Sequence, residues 1–342
     1  MTIIITGASG HIGGNLVRSL LERGEQVRCI VHHDRRAIEG LPVETVNADV
    51  TDADAMLRAC EGASLVYHLA AVISIDGNKG GRVEAVNVGG TRNVARAALA
   101  NGARLLYTSS IHAMQQYPLD VPIREDRPRV PWGDTRWPWY DRTKAQGERE
   151  VRALIEEGLD AVIFHPTGVI GPLDFGVSRL GRVFLDLYHR RLPSLVDGGF
   201  NWVDVRDVVD ALLVARDPAR GRCGESYLLT GHYRDVKALA TTAAAITGKA
   251  PPAMNVPRWL AAMGVPFFVG WGRMTGKEPL YTFESLHALD SNREMLHEKA
   301  SDHLGFQPRS FARSVYDTYC WHREAGNIPH DATLTEPTDE TT

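Results

Sequence analysis

The chain has 342 residues, of which 44% are hydrophobic, so it is long enough for one large domain or two unequal ones. Its formal net charge of −4 gives no electrostatic reason to expect a nucleic acid or an anionic membrane as a partner. The four cysteines are far apart without a CxxC pair, which predicts neither a disulfide framework nor a metal site, and the absence of a leader pattern favours a cytoplasmic protein.

Short apolar runs alternate with helical patterns through the first two-thirds of the chain, which predicts parallel strands joined by crossover helices. Six of these runs are nearly continuous in apolar residues, as expected of strands covered on both faces: 2–6, 26–31, 43–46, 64–68, 104–108 and 160–165. The predicted fold class is therefore α/β, with a Rossmann-type doubly wound parallel sheet over residues 1–172.

From about residue 172 prolines and glycines become frequent, which predicts a smaller C-terminal substrate-binding region over 173–330. The stretch 201–215 has the pattern of a strand entering a helix and is expected to return to the first domain, so that the two parts are partly interleaved. Residues 331–342 lack any apolar period and predict a disordered tail.

The apolar stretch 259–272 is too short for a membrane span and contains Pro266 and three glycines. We expect a buried lid or core helix here and no stable membrane insertion. An element lying on a membrane surface is the alternative.

A glycine-rich turn follows the first predicted strand, with Gly7, Gly10 and Gly13 at three-residue intervals before an amphipathic helix. Glycines at such a turn let the backbone approach a pyrophosphate, which the amides at the helix N-terminus then bind. The context predicts a dinucleotide site. A tight turn without a ligand is the alternative.

The second predicted strand ends in CIVHHDRR, where the choice between NAD and NADP is usually made. Val31 stands where an acid would bind the ribose hydroxyls of NAD, and His32, Arg35 and Arg36 are suited to a 2′-phosphate. NADP(H) is therefore preferred over NAD(H), although Asp34 keeps NAD open. After the third strand, Asp49 is either an acceptor for the adenine amine or a turn residue.

Tyr140 and Lys144 lie four residues apart in WYDRTK and share one face of a predicted helix. A free phenol has a pKa near 10, which a nearby cation lowers, so Tyr140 would exchange a proton with a carbonyl or alcohol oxygen. Lys144 would also bind the nicotinamide ribose. Thr108, Ser109 and Ser110 offer a hydroxyl at the carboxyl end of the fifth strand. An ordinary surface helix is the alternative.

These residues together resemble the extended short-chain dehydrogenase/reductase family of the NAD-dependent epimerase/dehydratase superfamily. The matching segments are TGASGHIGG, ADVTD, HLAA, NVGGTRNV, YTSS, YDRTK and HPTGVIGP, in the expected order over residues 2–172. The resemblance implies catalytic roles for Ser110, Tyr140 and Lys144. The residues then expected to contact the cofactor are Gly7, Gly10, His11, Ile12, Gly13, His32, Arg35, Arg36, Asp49, Val50, Leu69, Ala70, Ala71, Asn87, Tyr140, Lys144, His165, Pro166 and Thr167.

Four further residues are expected to contact a small, apolar substrate, and each has an ordinary structural role as its alternative. They are His112, which stands where the family usually has a small residue, Trp139 in a loop that also holds Trp132 and Trp137, and Phe200 and Trp202. Aromatic rings there would form a wall for an aromatic or alicyclic molecule. Members of the family often form homodimers through two long helices, here about 80–101 and 140–157.

Three functions remain open. The first is an NAD(P)-dependent carbonyl reductase or alcohol dehydrogenase of the dihydroflavonol reductase and hydroxysteroid dehydrogenase type. The second is a nucleotide-sugar epimerase or dehydratase with tightly bound NAD, whose sugar diphosphate would be bound by Arg179, Arg182, Arg190 and Arg191. The third, a non-catalytic dinucleotide-binding scaffold, does not explain why Ser110, Tyr140 and Lys144 occur together.

Overall fold

The computed structural model describes residues 2–275 and 282–338, and two sets of elements account for most of them. The strands are β1 (Thr2–Thr6), β2 (Val27–Val31), β3 (Glu44–Asn47), β4 (Ala63–His68), β5 (Arg104–Thr108), β6 (Ala161–Pro166), β7 (Gly168–Ile170), β8 (Leu195–Val196), β9 (Gly199–Asp204), β10 (Ser226–Leu229), β11 (His232–Asp235) and β12 (Asn255–Val256). The helices are α1 (His11–Glu22), α2 (Ala53–Ala59), α3 (Arg82–Glu84), α4 (Thr91–Ala100), α5 (Trp139–Glu156), α6 (Arg179–Tyr188), α7 (Val205–Val214), α8 (Val236–Thr247), α9 (Arg258–Thr275), α10 (Phe283–Ala288), α11 (Glu298–Leu304) and α12 (Phe311–Glu324).

Seven parallel strands form the main sheet, in the order β10-β6-β5-β4-β1-β2-β3. The α/β fold with a doubly wound parallel sheet is thereby confirmed. The central strands are buried on both faces, which explains their nearly unbroken apolar sequence. Because all the strands are parallel, their carboxyl ends meet at one edge, where the glycine-rich turn and the YTSS segment lie together.

The two parts of the chain are interleaved more deeply than the sequence predicts. The strand of the 201–215 stretch, β9, joins a separate three-stranded sheet with β7 and β11. Its helix, α7, packs on the main sheet through Val208 and Leu212. The seventh strand of the main sheet, β10, and its covering helix α11 also come from the region expected to bind only substrate.

A second hydrophobic core lies outside the main sheet and joins α6, α8 and α12. Residues 331–338 lie against this core, because Ala332 and Leu334 pack on it and the Thr335 amide donates to Ile246 O at 2.8 Å. This differs from the disordered tail expected from the sequence. That expectation overlooked two apolar side chains that stand among polar ones. Residues 339–342 of that tail lie outside the described part of the chain.

The helix α9 contains the apolar stretch 259–272 and has two apolar faces. Ala261 and Val265 are buried against Val196 and Leu286, whereas large side chains on the other face, including Trp259, are exposed. This placement differs from that expected of a core helix. Over the described residues, no helix is long and apolar enough to cross a bilayer.

Candidate active site

The glycine-rich turn brings the end of β1 against the end of β4. Gly7 has a φ of +74°, and a Cβ on it would lie 2.6 Å from the amide nitrogen of Ala70. A Cβ on Gly13 would lie 2.1 Å from Gly7 O, so only glycine permits this turn. Gly10 takes the N-cap position of α1, so no side chain shields the positive end of the helix dipole there.

The residues at this edge of the sheet fit a dinucleotide. Because the turn is built of glycines, no side chain would keep a pyrophosphate away from its backbone amides. Within residues 2–275 and 282–338, the buried hydroxyl of Thr167 has no hydrogen-bond partner, as expected of a group that a polar ligand satisfies. Leu69 lies at the same edge, where its amide donates to Thr6 O at 3.1 Å.

The residues around the expected adenosine end are exposed and charged. Arg36 donates to both carboxylate oxygens of Asp34, at 3.0 and 2.7 Å, while His32 and Arg35 are exposed. The Asp49 carboxylate accepts from the amide and hydroxyl of Thr51 and from Arg82. Burial alone would raise the pKa of Asp49, but these hydrogen bonds hold it down at about 2.

Several predicted cofactor residues have structural contacts that the sequence does not reveal. The buried amide of Asn87 bonds both backbone groups of Val72 and the hydroxyl of Thr143, which ties the segment after β4 to α5. His165 is fully buried, and its Nε2 lies 2.7 Å from the Glu148 carboxylate, so its imidazole belongs to an ion cluster inside the fold. Three others are packed in the fold, namely Ile12, Val50 and Pro166, and the His11 ring lies at Pro172 O. Ala71 is half-buried shortly after β4.

Ser110, Tyr140 and Lys144 converge at the carboxyl end of β5. The hydroxyl of Ser110 lies close enough to the phenol of Tyr140 to lower its pKa, and the Lys144 ammonium donates to Thr108 O at 2.9 Å. Ser110 is positioned as the N-cap of a single 3₁₀ turn, and Tyr140 and Lys144 lie in the first turns of α5. A hydroxyl, a phenol and a buried amine therefore surround one edge of the sheet.

The pKa values in this group differ from the sequence expectation. Burial raises the pKa of Tyr140 to about 12, the nearby Ser110 hydroxyl opposes the rise, and the Asp141 carboxylate adds to it. Burial lowers the pKa of Lys144 to about 7. The lowered phenol pKa expected from the spacing is therefore not observed, because burial of the phenol dominates and the Lys144 ammonium is directed at Thr108 O.

Asp141 is a residue of this site that the sequence did not single out. It is 2% exposed, and its carboxylate lies 3.2 Å from His112 Nδ1 and 3.8 Å from His287 Nε2. The ring of His112 meets the ring of Tyr140 edge-on, with centroids 5.7 Å apart. The position of Asp141 next to Tyr140 in the sequence was the available signal. Nothing in the sequence marks His287, which lies in α10.

The aromatic wall near Tyr140 contains one of the three expected loop tryptophans, Trp137, together with two residues that were not expected. Trp137 contacts His287 and Tyr117, with ring centroids 5.8 and 6.3 Å away. Trp139 instead contacts Arg142 and Trp132.

Two further expected wall residues pack in the second core. Trp202 is 3% exposed, its Nε1 donates to Arg234 O, and Phe200 packs on its ring. The apolar pattern of β9 therefore reflects packing of the fold rather than a substrate surface.

Known proteins resemble this chain over nearly its whole length. A family model described as the NAD dependent epimerase/dehydratase family matches residues 3–229. A protein from Methylococcus capsulatus named sterol demethylase protein B is 34% identical, covering 96% of this chain and 100% of that protein. A 3-beta-hydroxysteroid dehydrogenase from Mycolicibacterium neoaurum is 26% identical over 90% of this chain and 87% of its own. The crystal structure of gox2253 has a TM-score of 0.81 and 31% identity, covering 96% of this chain and 99% of that one.

Proposed function

This chain belongs to the NAD dependent epimerase/dehydratase family, and from that premise we propose that it interconverts a carbonyl and a secondary alcohol on an apolar, alicyclic substrate. The observation that carries the proposal is the convergence of the Ser110 hydroxyl and the Tyr140 phenol at the carboxyl end of β5, beside the buried Lys144. A protein that only bound the dinucleotide would have no use for a phenol held in this way.

The nicotinamide, when bound, supplies or accepts the hydride at the reacting carbon. In the reducing direction Tyr140, which is held as the neutral phenol by its raised pKa, donates its proton to the carbonyl oxygen. Ser110 donates a hydrogen bond to the same oxygen and then stabilises the phenolate that forms. The positive charge of the Lys144 ammonium stabilises the phenolate as it develops. The remaining N–H groups of Lys144 suit the ribose hydroxyls.

The substrate class is proposed from the surroundings of Tyr140 and from the named relatives. The rings of Trp137, Tyr117 and His287 form a largely apolar wall suited to fused carbon rings. The relatives named for sterol demethylation and for steroid dehydrogenation support a sterol-like substrate.

We propose further that NADP(H) is preferred over NAD(H). His32, Arg35 and Arg36 are exposed directly after β2, and Val31 leaves no carboxylate at the end of that strand. Arg36 would exchange its Asp34 partner for a 2′-phosphate, which accepts the same two-pronged hydrogen bonds.

A nucleotide-sugar epimerase or dehydratase is the competing function. It would need cationic groups that converge on a diphosphate. Arg182 is exposed on α6, and Arg190 and Arg191 are exposed in the turn after it, where Arg191 lies 3.9 Å from Asp186. These arginines therefore have the character of solvated surface charges. This arrangement favours the oxidoreductase.

The proposal is tested first by identifying any nucleotide that leaves the protein on denaturation after purification without added cofactor. The expected result is a protein largely free of nucleotide that binds NADPH more tightly than NADH and oxidises NADPH in the presence of alicyclic ketones. Stoichiometric bound NAD(H), with interconversion of UDP-sugars and no ketone reduction, would establish the epimerase instead. The double variant Arg35→Ala/Arg36→Ala should weaken NADPH binding much more than NADH binding.

A further inference from the structure

The helix α9 presents several large apolar side chains to solvent. Among the residues that the structure describes, twelve large hydrophobic side chains are exposed, and five of them lie on this one helix. They are Trp259 (66% exposed), Leu260 (45%), Met263 (71%), Phe267 (70%) and Met274 (83%). At 3.6 residues per turn, their spacing places all five within about 100° of the helix circumference.

The charged residues in the stretch of sequence that contains α9 are all basic. Between Asp235 and Glu278 there is no acidic residue, although a stretch of this length at the mean content of the chain would hold about five. The basic residues in the stretch are Lys237, Lys249, Arg258, Arg273 and Lys277. The net charge of −4 for the whole chain therefore conceals a stretch of sequence, with α9 in it, that has five basic residues and no acidic one. One of the five, Arg258, pairs with Asp290 at 2.5 Å.

The opposite face of α9 packs next to the candidate active site. Val265 and Leu286 belong to one small hydrophobic cluster that joins α9 to α10. The residue after Leu286 is His287, whose ring contacts Trp137 and lies near Asp141. The exposed helix is thus one layer away from the aromatic wall beside Tyr140.

We propose that α9 docks the protein on the surface of an anionic lipid bilayer. Apolar side chains on one face, with Trp and Phe among them, and basic residues around it are the features of a helix that lies in the membrane interface. The apolar face would enter the boundary between headgroups and acyl chains, and the basic segment would meet the anionic headgroups. On a lipid surface α9 would neither span the bilayer nor be buried in the core of the protein. Delivery of a membrane-dissolved substrate to Tyr140 would rest on the proposed function, but the docking itself does not.

The test is flotation of the full chain with vesicles, which needs neither substrate nor turnover. The unmodified protein should float with vesicles of phosphatidylcholine and phosphatidylglycerol, less with phosphatidylcholine alone, and less at high salt. The double variant Trp259→Glu/Met263→Glu should lose about tenfold or more in partitioning, because it places two charges on the apolar face. The matched control is Leu57→Glu, which changes a 43% exposed leucine on α2 and should float like the unmodified protein.

Binding of NADPH or NADH, measured on each variant, verifies that the fold is intact. The proposal is overturned if the unmodified protein does not float with anionic vesicles, or if Leu57→Glu lowers flotation as much as the α9 variant does. It is also overturned if the protein associates with itself in a concentration-dependent way that the α9 variant abolishes, because the face would then be covered by a second copy. A failed ketone assay would leave the flotation result unaffected.

Discussion

The imidazole of His112 lies 3.2 Å from the carboxylate of Asp141, the residue that follows Tyr140 in α5. Burial alone would lower the pKa of His112, but the Asp141 charge raises it. The same carboxylate raises the pKa of Tyr140 and contributes to the raised pKa of Glu284. On its other side lies His287, whose pKa is lowered by burial. One buried carboxylate therefore acts, together with burial, on the pKa of several groups around the phenol.

The first prediction concerns removal of that charge by Asp141→Asn. Because the folded pKa of His112 is raised, the pair stabilises the fold below the unfolded value of about 6.5 and loses this effect as pH rises through the folded pKa. The variant should therefore lose about 1–3 kcal/mol of unfolding free energy at pH 5.5 and much less at pH 8. Urea denaturation at the two pH values measures this, and an equal loss at both would contradict the pairing. The His112 pKa, followed by NMR, should fall.

The second prediction concerns Tyr140→Phe, which removes the proton donor and keeps the ring. Turnover should fall by about 10²–10⁴-fold, since general acid catalysis typically contributes that much. The affinity for NADPH should stay close to that of the unmodified enzyme, because the phenol is proposed to act on the substrate oxygen. Stopped-flow turnover and a fluorescence titration measure the two effects. Retained turnover would exclude Tyr140 as the acid.

The third prediction concerns the hydroxyl of Ser110, next to Tyr140. The Ser110 hydroxyl lowers the pKa of Tyr140 against the effect of burial, so Ser110→Ala should raise that pKa further. Alcohol oxidation needs the phenolate, so its rising limb with pH should move to higher pH in the variant. Reduction, which uses the phenol, should keep its rate to a higher pH. An unchanged limb would mean that a different group controls it.

Much of the site is local in the sequence, and that part could be predicted. All six predicted strands lie within a residue or two of their predicted bounds, and five of them are largely buried, so that their apolar runs mark them clearly. The exception is the edge strand β3, which is mostly exposed. The seventh strand, β10, has only four residues in an irregular region, and its place beside β6 is fixed by a pairing across some sixty residues. Short apolar runs of this kind cannot be told from loop or helix segments by period alone.

The contacts that tune the site are not local, and they could not be predicted. His287 reaches Asp141 from a helix some 140 residues away in sequence, and Trp137 rather than Trp139 faces it. Trp137 precedes α5 and Trp139 is its first residue, and two tryptophans two residues apart at such a boundary have no period that assigns either of them to a surface. Trp202 shows the reverse error, because an aromatic residue in a strand suits a core as well as a pocket.

The fourth prediction concerns the glycine-rich turn. In Gly13→Ala the new Cβ would meet Gly7 O, so the turn must open and its amides move away from the pyrophosphate. Affinity for either dinucleotide should fall by about tenfold or more, a loss of at least about 1.4 kcal/mol. The matched control is Gly133→Ala, where a Cβ meets no atom within 4 Å among the described residues. A similar loss in both variants would show that the turn is not the binding element.

The fifth prediction concerns Lys144, whose burial opposes its charge. Since the folded pKa is lowered from 10.5 to about 7, the unfolded chain binds more protons in that window, and the contribution of this group to stability rises with pH from about 7 to 10.5. Lys144→Met removes a buried amine of similar length, so it should stabilise the fold by about 1–3 kcal/mol near pH 6 and by little above pH 10. Cofactor affinity and turnover should both fall. A stable variant with a weakened cofactor site would show that Lys144 serves the chemistry of the site although it destabilises the fold. Lower stability at every pH would instead make it a structural residue anchored at Thr108.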